Sequence, residues 1–185
     1  LMAVDVCGLC GTDVMKLDTK AKGAILGHEL CGKVEKAGPG SPFSPGERVV
    51  VSHHVPCLAC HYCRKGQESM CRQFKSTNIE PGGFAEFCAV PASTLLTLPE
   101  KVSPLQGALV EPLANAVHAL SLTRQRFPET VVVIGAGTIG LMVLQVAKAS
   151  GAFRLLAVAV NDARLAVAHQ LGAEPVFNPR RDSIV

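Results

Sequence analysis

Short apolar runs separated by turn residues fill the first hundred positions. Runs at 4–8, 32–36, 47–52, 84–90 and 95–98 read as β-strands, set off by Gly38-Pro39-Gly40, Ser44-Pro45-Gly46 and Pro81-Gly82-Gly83. After Ser103 the apolar period lengthens: Leu105, Ala108, Leu109, Leu113, Ala116 and Leu120 mark a helical face, predicted to kink or break at Pro112. From Thr130 the pattern is strand 131–134, a glycine-rich turn, helix 138–149, strand 155–160, helix 162–171 and a short strand at 175–177. That β-α-β-α-β series requires a parallel sheet. The prediction is a multidomain α/β chain, β-rich over 1–115 and parallel-sheeted over 116–185.

Composition narrows the classes. Lys plus Arg exceed Asp plus Glu by only three, 18 against 15, too mild a balance to imply nucleic acid or an anionic membrane as partner. The longest apolar run, 131–147, is shorter than the ~20 residues a membrane span needs and carries three glycines. Leu1 to Val6 lacks a basic flank and is interrupted by Asp5, so no secretory signal is expected there. With Leu rather than Met at position 1, the chain is expected to open inside a strand of a longer protein.

Eight cysteines would suit a secreted disulfide framework, but their distribution favours metal binding in a reducing cytoplasm. Cys57-Leu58-Ala59-Cys60-His61-Tyr62-Cys63 followed by Cys71 puts four thiols into fifteen residues. Zinc takes four such ligands at ~2.3 Å, and a four-thiolate site is closed to substrate, so its role is to staple a loop with little core of its own. Arg64, Lys65, Arg72 and Lys75 rim this lobe and read as solvated surface. Cys7, Cys31 and Cys88 read as small buried hydrophobes.

A second group, Cys10-Gly11-Thr12-Asp13 and Gly27-His28-Glu29, offers thiolate, imidazole and carboxylate. Three such ligands leave a zinc position open for water or substrate, although a lone His also serves as a hydrogen-bonded core residue. Farther on, Gly135-Ala136-Gly137-Thr138-Ile139-Gly140 lies between a β-branched strand and an amphipathic helix. In that setting the glycines permit a tight turn, approach of a pyrophosphate and close helix packing, while the helix N-terminus favours the anion. The acidic residue that would bind NAD ribose hydroxyls ~20 positions later is replaced by Ala159, which leaves room for the 2′-phosphate of NADP. Asn161 and Arg164 are the nearby candidates to bind cofactor, and Asp162 the candidate helix cap. His118 and His169 lie on helical patterns and read as surface or packing residues.

The ordered series Gly8-Leu9-Cys10-Gly11-Thr12-Asp13, Gly27-His28-Glu29, the four-cysteine lobe, Gly82-Gly83-Phe84-Ala85-Glu86, Glu111-Pro112 and the glycine motif resembles the zinc-containing medium-chain dehydrogenases. Glu111-Pro112-Leu113 resembles the polyol (sorbitol-like) and threonine dehydrogenase branch more than the liver-type enzymes, which carry Cys there. The resemblance implies a GroES-like catalytic domain, a truncated Rossmann domain, two zinc ions per complete subunit and NAD or NADP. Catalytic zinc would be held by Cys10 and His28, with Glu29 ligating directly or exchanging with water and Glu111 at the fourth position or holding it through water. It further implies that Asp13 orients His28, that Thr12 relays the proton while hydride passes to the nicotinamide, and that the full-length protein is a homodimer or homotetramer. Where liver-type enzymes continue the relay with a His, this chain has Met15. The outer path would then run through ribose, water or another group; His53 and His54 are near in sequence but neither is assigned, because neighbours on a strand point to opposite faces and at most one can enter the cleft. Polyol or secondary-alcohol oxidation is the leading expectation; amino-alcohol oxidation and a non-catalytic zinc protein binding nucleic acid or a partner are the others.

Overall fold

A computed structural model describes residues 1–18, 22–73, 79, 81–123 and 129–183; Lys75 lies outside them. The chain divides into two compact units, Leu1–Glu111 and Pro112–Val185.

In the first unit β1 (Met2–Gly8) leads into a short helix, α1 (Gly11–Lys16), and the chain returns as β2 (Glu29–Val34) and β3 (Arg48–Val51). A small helix, α2 (His61–Arg64), precedes β4 (Phe87–Cys88) and β5 (Leu95–Thr97), and α3 (Pro104–Ala108) closes the unit. The strands form one antiparallel sheet in the order β4-β1-β2-β3-β5. β2 lies at its centre, and all its residues are buried except Lys33. Met2, Leu30, Val34, Val49, Val51, Ile79 and Cys88 form the main core, while Cys31, Val50 and Leu98 pack on the opposite face. There α3 is tied to β2 by the Cys31 thiol, which donates to the Pro104 carbonyl at 2.9 Å.

The strand expected over 84–90 contracts to Phe87–Cys88. Gly83 and Phe84 donate their N–H groups to the carbonyls of Gly27 and Leu26, both at 2.9 Å, and so are spent on pinning the loop before β2. The helix break expected at Pro112 falls at Leu109, between α3 and α4 (Val110–Leu122). Pro112 is the third residue of α4, within the first turn, where an N–H has no intrahelical acceptor and a proline ring is tolerated.

The second unit holds β6 (Thr130–Ile134), α5 (Thr138–Ala149), β7 (Arg154–Val158), α6 (Asp162–Gln170) and β8 (Val176–Phe177). Its strands are parallel in the order β6-β7-β8, with Thr130 opposite Arg154 and Ala157 opposite Val176. Parallel neighbours need a crossover, and each of the two helices supplies one. Val131, Val133, Leu155 and Ala157 from the strands meet Leu144, Ala147, Leu165 and Ala168 from the helices in one core. No helix among the described residues is long and apolar enough to cross a membrane.

Candidate functional site

The four-cysteine lobe is built on two tight turns. Leu58 adopts φ 54°, a left-handed conformation rare for a residue with a Cβ, and so folds Cys57 back toward Cys60. Cys60 then caps α2, which carries Cys63, and a single 3-10 turn, Glu68–Met70, delivers Cys71. The four sulfurs lie within 4.8 Å of one another. The Cys57–Cys63 and Cys60–Cys63 separations are 3.9 and 3.5 Å. Those values bracket the ~3.8 Å edge of a tetrahedron with ~2.3 Å metal–sulfur bonds, and they far exceed a disulfide bond of ~2.05 Å.

Backbone N–H groups point at the sulfurs: Cys57 and Gln73 donate to Cys71, and Cys60 donates to Cys57, each at 3.3 Å. Hydrogen bonds from the backbone of Cys63 and Arg72 pull the Cys60 thiol down to about 6, whereas burial pushes Cys63 up to about 12. Thiolates crowded this closely repel one another unless a cation sits among them, so the donor set fits zinc. Arg64, Lys65 and Arg72 are solvent-exposed.

The second group assembles where β1 ends and β2 begins. Register puts Gly8 directly opposite Glu29, and a Cβ on Gly8 would stand 2.5 Å from Glu29 Oε2, so glycine is what leaves room for that carboxylate. Two residues past β1, Cys10 caps α1, and His28 immediately precedes β2. Asp13, 2% exposed, joins the two segments. Its carboxylate accepts from the Cys10 N–H at 3.1 Å and the Gly27 N–H at 3.4 Å, and it lies 3.3 Å from His28 Nδ1. With its Nδ1 proton directed at Asp13, His28 presents Nε2 as a lone-pair donor. Thr12 donates its hydroxyl to Cys10 Sγ at 3.3 Å. Ligand atoms of Cys10, His28 and Glu29 fall within 4.8 Å of one another, and this mixed thiolate, imidazole and carboxylate set also fits zinc.

Burial raises the Glu29 pKa, partly opposed by a hydrogen bond with Cys10, and the neighbouring Glu111 adds to the rise. Glu111 itself is exposed to opposing effects. Burial would raise its carboxyl, but the hydrogen bond and charge of His53, with His28 and His54 behind, hold it below the usual range. Its Oε1 accepts from His53 Nδ1 at 3.1 Å.

The opposite-facing arrangement expected for His53 and His54 is not what forms: their ring centroids are 3.7 Å apart. β3 has already ended at Val51, so the alternation of side chains along a strand no longer applies. His53 stands 4.7 Å from the His28 ring, and burial pushes His54 down to about 4. Sequence reasoning left His53 unassigned, because a departure from strand geometry just after an apolar run carries no local signal. Met15 is 78% exposed, and its thioether can neither take up nor release a proton.

In the second unit, Gly135 follows β6 with φ 106° and Gly137 caps α5. A Cβ on Gly140 would overlap the Gly135 carbonyl and crowd Val133, so the turn can close against the helix only with glycine there. Thr138 and Ile139 are exposed in the first turn of α5. Beside this turn, Gly135, Gly137, Val158, Ala159, Asn161 and Arg164 help line a cavity of about 260 Å³. Asn161, not Asp162, caps α6: its side-chain oxygen accepts from the Arg164 N–H at 3.0 Å. The Asp162 carboxylate is instead engaged by Asn178 and Arg181, each at 2.9 Å. Asn178, a buried anchor that sequence reasoning missed, also donates to the Val160 carbonyl at 3.4 Å.

A β-rich domain with a cysteine lobe, continued by the opening β-α-β-α-β of a Rossmann fold, is the architecture of a zinc-type dehydrogenase. A sequence model of the alcohol dehydrogenase GroES-like domain matches residues 1–100, and one of the zinc-binding dehydrogenases matches 138–185. The chain belongs to the zinc-containing medium-chain dehydrogenase/reductase family. The L-threonine 3-dehydrogenase of Rhizobium rhizogenes is 35% identical over 193 residues, aligning with 100% of this chain and 56% of its own length. The crystal structure of galactitol-1-phosphate dehydrogenase from Escherichia coli superimposes with TM-score 0.87 at 34% identity, covering 98% of this chain and 54% of that one. An NADP-bound zinc-binding dehydrogenase-like protein from Sinorhizobium meliloti 1021 gives TM-score 0.91 at 30% identity, covering 99% and 55%. The chain thus spans about half the length of the relatives it matches.

Replacing Asp13 by Ala strands the Cys10 and Gly27 donors and removes the partner of His28. Urea unfolding of Asp13→Ala is expected to show a loss of about 2–4 kcal/mol, each buried unpaired donor costing ~1–3 kcal/mol; a loss under about 0.5 kcal/mol would refute this bracing role.

Proposed function

We propose that the complete protein is a zinc-dependent oxidoreductase that transfers hydride between a secondary alcohol or polyol and a nicotinamide cofactor. The observation that carries this reading is the convergence of Cys10, His28 and Glu29 ligand atoms within 4.8 Å, braced by Asp13. Zinc held by these residues supplies Lewis-acid chemistry that lets an alcohol give up its proton near neutral pH. Thr12, exposed and bonded to Cys10, takes up the alcohol proton through its hydroxyl oxygen and passes its own toward solvent. Asp13 keeps the His28 ring in one tautomer and orientation. Glu111 would supply a further carboxylate beside the metal, directly or through water.

The Gly135-to-Gly140 turn binds the cofactor pyrophosphate through backbone N–H groups at the start of α5. Arg164 Nη1 stands 3.9 Å from where a Gly137 Cβ would be, close enough for its guanidinium to reach cofactor phosphate. Asn161 keeps its side-chain NH2 available to a ribose or phosphate oxygen. The names of the relatives, a polyol-phosphate dehydrogenase and a threonine dehydrogenase, support the alcohol reading. Cytoplasmic location and a homodimer or homotetramer belong to the same reading.

The test is an assay of the full-length protein against polyols, secondary alcohols and L-threonine with NAD and NADP. Alcohol-dependent cofactor reduction that a chelator abolishes and zinc restores is expected. Turnover insensitive to metal removal, or no turnover with any alcohol, would sink the proposal.

Ala159 removes a carboxylate that would repel a 2′-phosphate, so NADP is expected to bind at least as tightly as NAD. Ala159→Asp should weaken NADP binding by about tenfold or more while leaving NAD within about threefold, as read by fluorescence titration of the cofactors. Equal effects on both would show that position 159 does not face the 2′ position.

A further inference from the structure

We infer that His53 is a metal-ligating residue, forming with His28 and Glu111 a second ligand set for the cation that Cys10, His28 and Glu29 also hold. Two triads of potential ligands overlap in the first unit, Cys10/His28/Glu29 and His28/His53/Glu111, and within each the ligand atoms lie no more than 4.8 Å apart. The His53 Nδ1 to Glu111 Oε1 separation is 3.1 Å. A hydrogen bond has that length, and so, within a few tenths of an ångström, does the ~3.3 Å edge of a tetrahedron whose N and O ligands lie ~2.0–2.1 Å from zinc. A cation can therefore replace the shared proton with little movement of either side chain.

His28 decides how the two sets relate. Its Nδ1 is committed to Asp13 at 3.3 Å, which leaves Nε2 alone for a metal. One ring nitrogen serves one ion, so the sets are alternative positions for a single cation and not a binuclear centre. The first set contains a thiolate and the second is wholly imidazole and carboxylate, each with room for a fourth ligand. The packing of the His53 ring 4.7 Å from His28 and 3.7 Å from His54 holds it in this orientation.

The inference rests on the proposal that the open site binds zinc, and the experiment separates the two. Zinc content and zinc X-ray absorption are measured on the full-length protein and on Cys10→Ala, Cys10→Ala/His53→Gln and Cys10→Ala/Glu111→Gln variants. The four-sulfur site, retained in all, reports that the fold survives. Cys10→Ala is expected to keep a second equivalent of zinc carrying two imidazoles. Adding His53→Gln should cut the imidazole count to one and weaken retention at least about tenfold, and Glu111→Gln should weaken it likewise. A His53 that only orients Glu111 would leave the count at one in Cys10→Ala, which overturns the inference. Loss of the second equivalent in Cys10→Ala alone also overturns it, without touching the zinc reading. Absence of a second equivalent in the unmodified protein would remove both.

Discussion

A buried carboxylate with donors from two separate segments cannot shift without stranding one of them, and Asp13 is in that position. It faces Cys10 and α1 on one side, Gly27 and His28 on the other, fourteen residues away along the chain. The central strands of the sheet bring these segments near each other; Asp13 converts nearness into a fixed geometry. With it in place, a thiol, one imidazole nitrogen and the Glu29 carboxylate converge at the open end of β1 and β2. Gly8, opposite Glu29, supplies the space.

The two cysteine-containing centres solve different electrostatic problems. In the lobe, four sulfurs share a small volume, and backbone N–H groups donate to two of them, Cys57 and Cys71. A cation bound there would tie the four cysteines together without needing a hydrophobic core. At the sheet end, Glu111 adds to the rise that burial gives the Glu29 carboxyl, while His53, His28 and His54 hold Glu111 itself down. Mixed donors and incomplete coordination suit that place to chemistry, not to stapling.

Much of this was legible from spacing. The four-cysteine lobe, the glycine turn and the α/β order of the second unit follow from local patterns, and α5 spans the helix expected at 138–149, whereas the pairing of Cys10 with His28 rests on the family resemblance. What escaped depended on distant partners. The N–H groups of Gly83 and Phe84 serve the loop before β2, so a strand that reads well from its residues contracts. Pro112 is absorbed in the first turn of a helix whose true start, Val110, has no polar cap to announce it. Asn161 takes the cap expected of Asp162 because Asn178 and Arg181 draw the aspartate away. His53 joins Glu111 across 58 residues, a pairing set by tertiary packing alone.

The central claim is that one chain holds zinc in two chemically distinct environments, one closed and one open. Metal analysis combined with X-ray absorption on the unmodified full-length protein addresses it directly. Two zinc equivalents are predicted, one with four sulfur ligands and one with a single sulfur and nitrogen or oxygen donors. A single zinc with an all-sulfur shell would contradict the account and leave the Cys10, His28 and Glu29 cluster without a role in metal chemistry.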